Sequence, residues 1–108
     1  MKILVFNDYC CVGNCALKVN ISILIQNGNE VFGIPTKIFS SHMAYKDFLS
    51  FEMPNFSEIF EKIKKIQKFD AIYIGFVDSR EQFEVIKNFL KEFKGKVILD
   101  PILGDNGT

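Results

Sequence analysis

The sequence has 108 residues, 48% of them hydrophobic and 24% charged, which is a globular composition of a size that suits one domain over residues 1–108. Thirteen basic residues balance thirteen acidic ones, so we expect neither nucleic acid nor a membrane as a partner. Three cysteines and an opening without a signal-peptide pattern argue against a secreted disulfide scaffold, and we expect the protein in the cytoplasm.

The first third of the sequence predicts a strand, a helix and a second strand. Residues 2–6 are apolar on both faces, as in a buried parallel strand. Residues 14–27 are apolar almost all round and end at a glycine, which predicts a well-covered helix. Residues 30–35 predict the second strand. Residues 36–54 show no clean period and are predicted to form a long irregular connection.

The remaining residues alternate between helical and strand patterns. Apolar residues recur at helical spacing over 55–69 and again over 79–93. Residues 70–76 and 96–99 predict the third and fourth strands. Strands that alternate with helices favour an α/β fold, with a parallel sheet covered by helices.

Two helix starts carry a capping pattern. Asn55 is followed three residues later by Glu58, and Ser79 is followed three residues later by Gln82. In such a capping box the first side chain accepts a hydrogen bond from the helix, while the second reaches back to the cap. We therefore expect Asn55 and Ser79 to be the N-cap residues of their helices.

An acidic turn follows the fourth strand. Asp100 comes directly after the apolar run, and Asp105 lies within a Gly-Asp-Asn-Gly stretch. Ligands of open α/β sheets bind beyond the carboxyl ends of the strands, which is where this turn would lie. The same residue types also suit tight turns without any ligand, so the pattern alone leaves both interpretations open.

Three cysteines lie close together after the first strand, at Cys10, Cys11 and Cys15. They lack the Cys-X-X-Cys spacing, and neither a histidine nor a fourth thiol is near enough in sequence to complete a tetrahedral site. We interpret them as buried thiols beside a strand–helix turn.

Segments along the whole sequence share the pattern of one known family: 7–17, 35–36, 40–42, 70–76 and 100–107. The most specific of them is the closing run Asp-Pro-Ile-Leu-Gly-Asp-Asn-Gly. On these motifs the chain resembles the amino-terminal part of a pyridoxal (pyridoxine/pyridoxamine) kinase of the ribokinase-like superfamily.

This resemblance implies a three-layer α/β/α sandwich with a mainly parallel sheet, cut short here after about the fourth strand. It implies ATP-dependent phosphorylation of the 5′-hydroxymethyl group of pyridoxal, pyridoxine or pyridoxamine, with Mg²⁺ and room for a monovalent cation. Such enzymes are generally homodimers. The family's general-base aspartate lies beyond the last residue of this sequence, so we expect the 108-residue stretch to be inactive alone.

The resemblance also implies roles for five residues. Asp8, His42 and Phe76 match positions that bind the substrate ring, while Asp100 and Asp105 match acidic positions near the metal ion and the ATP phosphates. From the residues alone, Asp8 suits a turn cap, His42 a surface site and Phe76 core packing. Phosphoryl transfer depends on positioning and charge neutralisation, and hard cations take oxygen ligands.

Two departures from the family pattern concern the substrate. Met43 follows His42 where the family commonly has threonine, and Phe76 lacks the phenol oxygen of a frequent tyrosine. A hydroxymethylpyrimidine kinase of the same superfamily is a close alternative, although the Ser-Ser-His loop and the Asp-Asn-Gly ending favour a B6 vitamer. A non-catalytic module that binds a vitamer or a complementary chain is the alternative from another class.

Overall fold

The structure, a computed structural model, describes residues 1–13, 16–41 and 46–100. Within them, five strands form one sheet and three helices cover it. The strands are β1 (Lys2–Val12), β2 (Glu30–Ser41), β3 (Ser50–Glu52), β4 (Ala71–Ile74) and β5 (Lys96–Leu99). The helices are α1 (Leu17–Gln26), α2 (Phe56–Ile66) and α3 (Arg80–Leu90). No helix in the described ranges has the length and hydropathy needed to cross a bilayer.

The sheet is mainly parallel, with strand order β3-β2-β1-β4-β5. The central strand β1 pairs in parallel with β2 on one side and with β4 on the other, and β4 pairs in parallel with β5. The short strand β3 runs antiparallel to β2 at one edge. The α/β class with a mainly parallel sheet is therefore confirmed.

Helices lie on both faces of this sheet. On one face, α2 and α3 cover a core in which the ring centroid of Phe60 lies 5.2 Å from that of Phe6 and 5.1 Å from that of Phe89. On the other face, Leu17 of α1 packs in a separate cluster with Val5 and its neighbours. Helices on the two faces of one sheet give the three-layer arrangement that the resemblance implied.

The prediction of an irregular connection over 36–54 was wrong at both of its ends. The strand β2 continues to Ser41, and β3 follows at Ser50–Glu52, so the described sheet has five strands and the one expected as the fourth is β5. Asn7 pairs with Pro35 but Tyr9 with Ile38, so β2 carries one residue more than β1 at this point. Such a bulge breaks the alternation of side chains, which hides a strand from its sequence pattern.

The two predicted caps have different outcomes. The Ser79 hydroxyl accepts a hydrogen bond from the Gln82 N–H at 3.2 Å, which confirms this cap. Asn55 is the residue before α2, but its side chain makes no capping hydrogen bond and its backbone is left-handed, with φ at 56°. Asparagine tolerates that backbone conformation better than most residues, which explains its presence without a side-chain cap.

The thiols differ in burial. Cys10 is buried in β1, whereas Cys11, the next residue, is exposed. Successive side chains of a strand point to opposite faces, which accounts for the difference. The interpretation as a buried thiol was therefore wrong for Cys11, and Cys15 lies outside the described residues.

Candidate functional site

The candidate site lies at the carboxyl edge of the parallel strands. Asp8 is in β1, Phe76 follows the end of β4, and Asp100 follows the end of β5. Parallel strands end at the same edge of a sheet, so the fold brings these three positions to one side of the molecule. The other two predicted site residues, His42 and Asp105, lie outside the described residues.

A buried asparagine fixes the backbone beside Asp8. Asn7 is 6% exposed, and its side-chain oxygen accepts the Asp8 N–H at 2.9 Å. Its Nδ2 donates to Oδ1 of Asn20 in α1 at 2.6 Å. The Asp8 carboxylate is half-buried, and the Cys10 thiol donates to its Oδ2 over 3.9 Å. The backbone of Asp8 is thus tied to α1 through two amide contacts.

The same asparagine lies directly against the turn that leads to Phe76. A Cβ atom added at Gly75 would lie 2.7 Å from the Asn7 side-chain carbon Cγ. Real Cβ atoms essentially never approach another heavy atom so closely. Glycine at position 75 therefore allows β4 to end against the Asn7 amide, and it places Phe76 next to the segment that carries Asp8.

We expect Gly75→Ala to lower the free energy of unfolding by about 1–3 kcal/mol, the usual range for overpacking a close-packed site. The new methyl group displaces the Asn7 amide, so the Asn7→Ala background should relieve the clash and reduce the loss. Urea denaturation of the two single variants and the double variant measures this coupling. An equal loss of unfolding free energy in both backgrounds would show that the clash with the Asn7 amide is not its cause.

Phe76 lies on the wall of an apolar cavity of about 710 Å³ between the end of β4, helix α3 and β5. The other apolar side chains on its wall include Val77, Phe83, Ile86, Leu90 and Leu99. A volume in this range accommodates a small aromatic ligand. Phe76 is half-buried and can offer a flat apolar surface there, as either core packing or a ring contact would require.

Asp100 is held by a tyrosine on the α1 side of the sheet. The Tyr73 hydroxyl donates to Asp100 Oδ2 at 2.5 Å, and the Asp100 N–H donates to the Ile74 carbonyl oxygen at 2.9 Å. Burial raises the pKa of the Tyr73 phenol above 10.0, and the hydrogen bond to Asp100 and its negative charge raise it further. The Asn20 side chain acts in the opposite direction.

A raised tyrosine pKa makes stability depend on alkaline pH. The folded state keeps the Tyr73 proton to higher pH than the unfolded state does, so this contribution is complete below about pH 10 and is lost as pH rises through the folded pKa. We expect the free energy of unfolding to fall less steeply above about pH 10 in Tyr73→Phe than in the wild type. Urea denaturation between about pH 9 and pH 11 measures the difference. Equal slopes would contradict it.

A second set of polar side chains, also near the carboxyl edge of the sheet, joins β2 to the start of α3. Lys37 Nζ lies 3.2 Å from Asp78 Oδ1, and the fully buried Gln82 donates to the Thr36 carbonyl oxygen at 2.8 Å. Gln82 also accepts the Asp78 N–H at 2.9 Å, so one side chain connects both segments. The buried Thr36 hydroxyl has no hydrogen-bond partner among the described residues.

Sequence reasoning missed Asn7, Asn20, Tyr73 and the Lys37–Asp78 pair. One signal was available for Asn20, since it interrupts the apolar run from Val19 to Ile25, as Ser22 also does. Asn20 is half-buried in the fold, and a polar side chain removed from water requires a partner. The identity of that partner depends on the fold, which brings Asn7 and Asn20 together across 13 residues of sequence.

The described carboxylates can contribute to a metal site but do not complete one. Among the described residues there is no group of three or more histidine, cysteine, aspartate or glutamate side chains that could hold a metal ion. Mg²⁺ commonly takes only one or two carboxylates and fills its remaining positions with water and substrate phosphates. Asp100, which is exposed, fits the role of one such ligand.

No protein-family model matches the sequence, and no curated protein matches it. Solved structures do match. The chain is 34% identical to a protein from Bacteroides thetaiotaomicron assigned as a phosphomethylpyrimidine kinase and crystallised with pyridoxal, with a TM-score of 0.87. That match covers 99% of this chain and 39% of the other.

Two pyridoxal kinases match in the same way. The enzyme from Lactobacillus plantarum is 25% identical with a TM-score of 0.87, over 99% of this chain and 40% of its own. The enzyme from Leishmania donovani, in complex with ADP, is 20% identical with a TM-score of 0.77, over 99% of this chain and 41% of its own, a likeness of fold alone.

This chain spans about 40% of the length of the kinase structures that it matches. The resemblance to pyridoxal kinases and the α/β fold class are both confirmed. The match is consistent with the amino-terminal portion of such a kinase. The chain has the ribokinase-like fold of the pyridoxal kinases, over two fifths of their length.

Proposed function

We propose that the complete protein carrying this chain transfers the γ-phosphoryl group of ATP to the 5′-hydroxymethyl group of pyridoxal or a related B6 vitamer. The observation that carries the proposal is the 34% identity, over almost the whole chain, to a structure that contains pyridoxal. The similarity to a pyridoxal kinase at 25% identity supports the same reaction.

In this reaction the described residues bind the substrate ring and the cation. Asp8 binds polar substituents of the pyridine ring, and Phe76 provides an apolar surface for it beside the cavity that it lines. The Asp100 carboxylate binds the cation that accompanies ATP. On the strength of the sequence alone, His42 is assigned to the ring and Asp105 to the cation and the phosphates.

The bound cation would be Mg²⁺, which neutralises charge on the phosphate oxygens during transfer. The chain's own contribution is to hold the reacting groups in place, because phosphoryl transfer needs positioning more than covalent catalysis. The Asn7 contacts fix Asp8, and the Tyr73 hydroxyl fixes Asp100. We further propose a homodimer in the cytoplasm.

A hydroxymethylpyrimidine is the second candidate substrate, because the 34% identical protein is assigned as a phosphomethylpyrimidine kinase. Both substrates present a hydroxymethyl group on a heteroaromatic ring. The substituents around the ring distinguish them, so the choice depends on the polar contacts made at Asp8 and at the loop that bears His42.

An assay of the complete protein with ATP, Mg²⁺ and either pyridoxal or hydroxymethylpyrimidine tests the proposal. We expect kcat/KM for pyridoxal to exceed that for the pyrimidine by more than about tenfold, the discrimination that one or two polar contacts provide. The reverse preference would make hydroxymethylpyrimidine the substrate. If neither compound is phosphorylated, the kinase assignment is rejected.

A binding or assembly module without catalysis is the candidate from another class. Calorimetric titration of the protein with pyridoxal distinguishes the two functions. Saturable binding of pyridoxal without phosphoryl transfer would support the module, whereas turnover with ATP would exclude it.

A further inference from the structure

A tyrosine hydroxyl and an exposed carboxylate meet at the carboxyl edge of the sheet, on the α1 side. Tyr73 is in β4 and Asp100 follows β5, and Tyr73 Oη donates to Asp100 Oδ2 at 2.5 Å. The Asp100 N–H donates to the Ile74 carbonyl oxygen at 2.9 Å, so the backbone of Asp100 is held as well.

The exposure of Asp100 indicates what its contact with Tyr73 does. Asp100 is exposed, so water could solvate its carboxylate without any protein donor. Tyr73 is half-buried and packs in the α1-side cluster with Val5 and Leu17. Its hydroxyl therefore satisfies no buried carboxylate, and the effect of the contact is to fix one orientation of the Asp100 side chain.

We propose that Tyr73 is a positioning residue, which holds the Asp100 carboxylate in the orientation that meets the nucleotide-bound cation. This inference rests on the proposed function for the cation's role.

The first test compares Tyr73→Phe with Tyr9→Phe in the complete protein. Tyr9 is a matched control, because it is a half-buried tyrosine in the same α1-side cluster, and its ring lies 5.1 Å from Lys18 Nζ. Mn²⁺ binding in the presence of ADP, followed by electron paramagnetic resonance, reports the cation site without turnover. We expect Tyr73→Phe to weaken this binding about 10-fold, at the lower end of the range for lost supporting contacts around metal ligands.

The control variant should stay within about twofold of the wild type, as for a substitution away from the site. The kinetic signature should match, with the KM for Mg·ATP raised in Tyr73→Phe and the KM for pyridoxal nearly unchanged. Equal weakening in Tyr73→Phe and Tyr9→Phe, or none in either, would overturn the positioning role.

The second test follows the Tyr73 phenol by ¹³C NMR of ring-labelled tyrosine, with Tyr73→Phe identifying the signal. Asp100→Asn should lower the Tyr73 pKa, because it removes the charge of the carboxylate that accepts the phenol proton's hydrogen bond. A lower pKa would support the contact. If the titration is unchanged, the contact does not exist in solution and the proposal is wrong.

The two tests separate this inference from the proposed function. If the complete protein phosphorylates neither candidate substrate, the kinase assignment fails while the titration and Mn²⁺ binding still report on Tyr73. If it is an active kinase and Tyr73→Phe behaves like its control, only the positioning role fails. Should Tyr73→Phe not fold, the titration in Asp100→Asn, which keeps Tyr73, decides.

Discussion

Replacing Asp100 by asparagine is expected to lower kcat/KM for Mg·ATP in the complete protein on the order of 100-fold, the size typical of losing one electrostatic stabiliser. Asparagine has nearly the same shape and can still accept the Tyr73 hydrogen bond, so the substitution removes the charge and little else. Steady-state kinetics with varied Mg·ATP, and separate binding of pyridoxal, measure the effect.

Asp70→Asn is the matched control for this prediction. Asp70 precedes β4 at the opposite edge of the sheet, where its side chain accepts the Lys2 N–H at 2.8 Å. Turnover should therefore be close to that of the wild type. Pyridoxal affinity should change by less than about threefold in Asp100→Asn, because ring binding does not need its charge. Equal loss of pyridoxal affinity and turnover would remove Asp100 from the cation role.

Phe60→Ala is expected to lower the free energy of unfolding by about 3–5 kcal/mol, the usual range for truncating a buried phenylalanine. The Phe60 ring is 0% exposed and lies within 6.3 Å, between centroids, of the Phe6, Phe56 and Phe89 rings. Its removal leaves a cavity between α2, α3 and the sheet. A small domain is stable by only about 5–15 kcal/mol, so most of its stability could be lost.

The control for this variant is Phe83→Ala. Phe83 lies in α3 and is 52% exposed, so the same truncation should change stability by less than about 1 kcal/mol. Urea denaturation followed by circular dichroism compares the two variants. Similar losses would show that the burial of Phe60 does not determine the stability of this core.

Periodicity predicted α2 and α3, and an apolar run that ends at a glycine predicted α1. The amphipathic helices α2 and α3 lie within the predicted ranges 55–69 and 79–93, and α1 lies within 14–27. The prediction that α1 is well covered was wrong, because only Leu17 is buried and Ile23 and Ile25 are exposed. The pattern placed the helix ends less well, since the last predicted turn of each amphipathic helix is not helical in the structure. Helix ends depend on contacts outside the helix, which periodicity does not contain.

The strands that were missed depend on pairing. The three residues of β3 carry too short a pattern to be recognised, and their hydrogen bonds come from β2. The continuation of β2 is hidden by the extra residue opposite Asp8. Local sequence could not predict either feature, because each is a property of two strands together.

The candidate site was predicted in outline and missed in detail. The closing motif and the family pattern directed attention to Asp8, Phe76 and Asp100. The contacts that hold them could not be read from the sequence, because Tyr73 and Asp100 are 27 residues apart and meet only through strand pairing. Gln82 was expected only as part of a capping box, yet its amide also supports the β2 backbone.

The central strand β1 is paired on both sides only at its beginning. Ile3 to Phe6 have partners in both β2 and β4, whereas Tyr9 to Val12 pair with β2 alone. Amide hydrogen exchange should therefore show two levels of protection along one strand, slow up to Phe6 and faster from Tyr9. The outer part of β1 can then open by local unfolding while the doubly paired part keeps the domain intact.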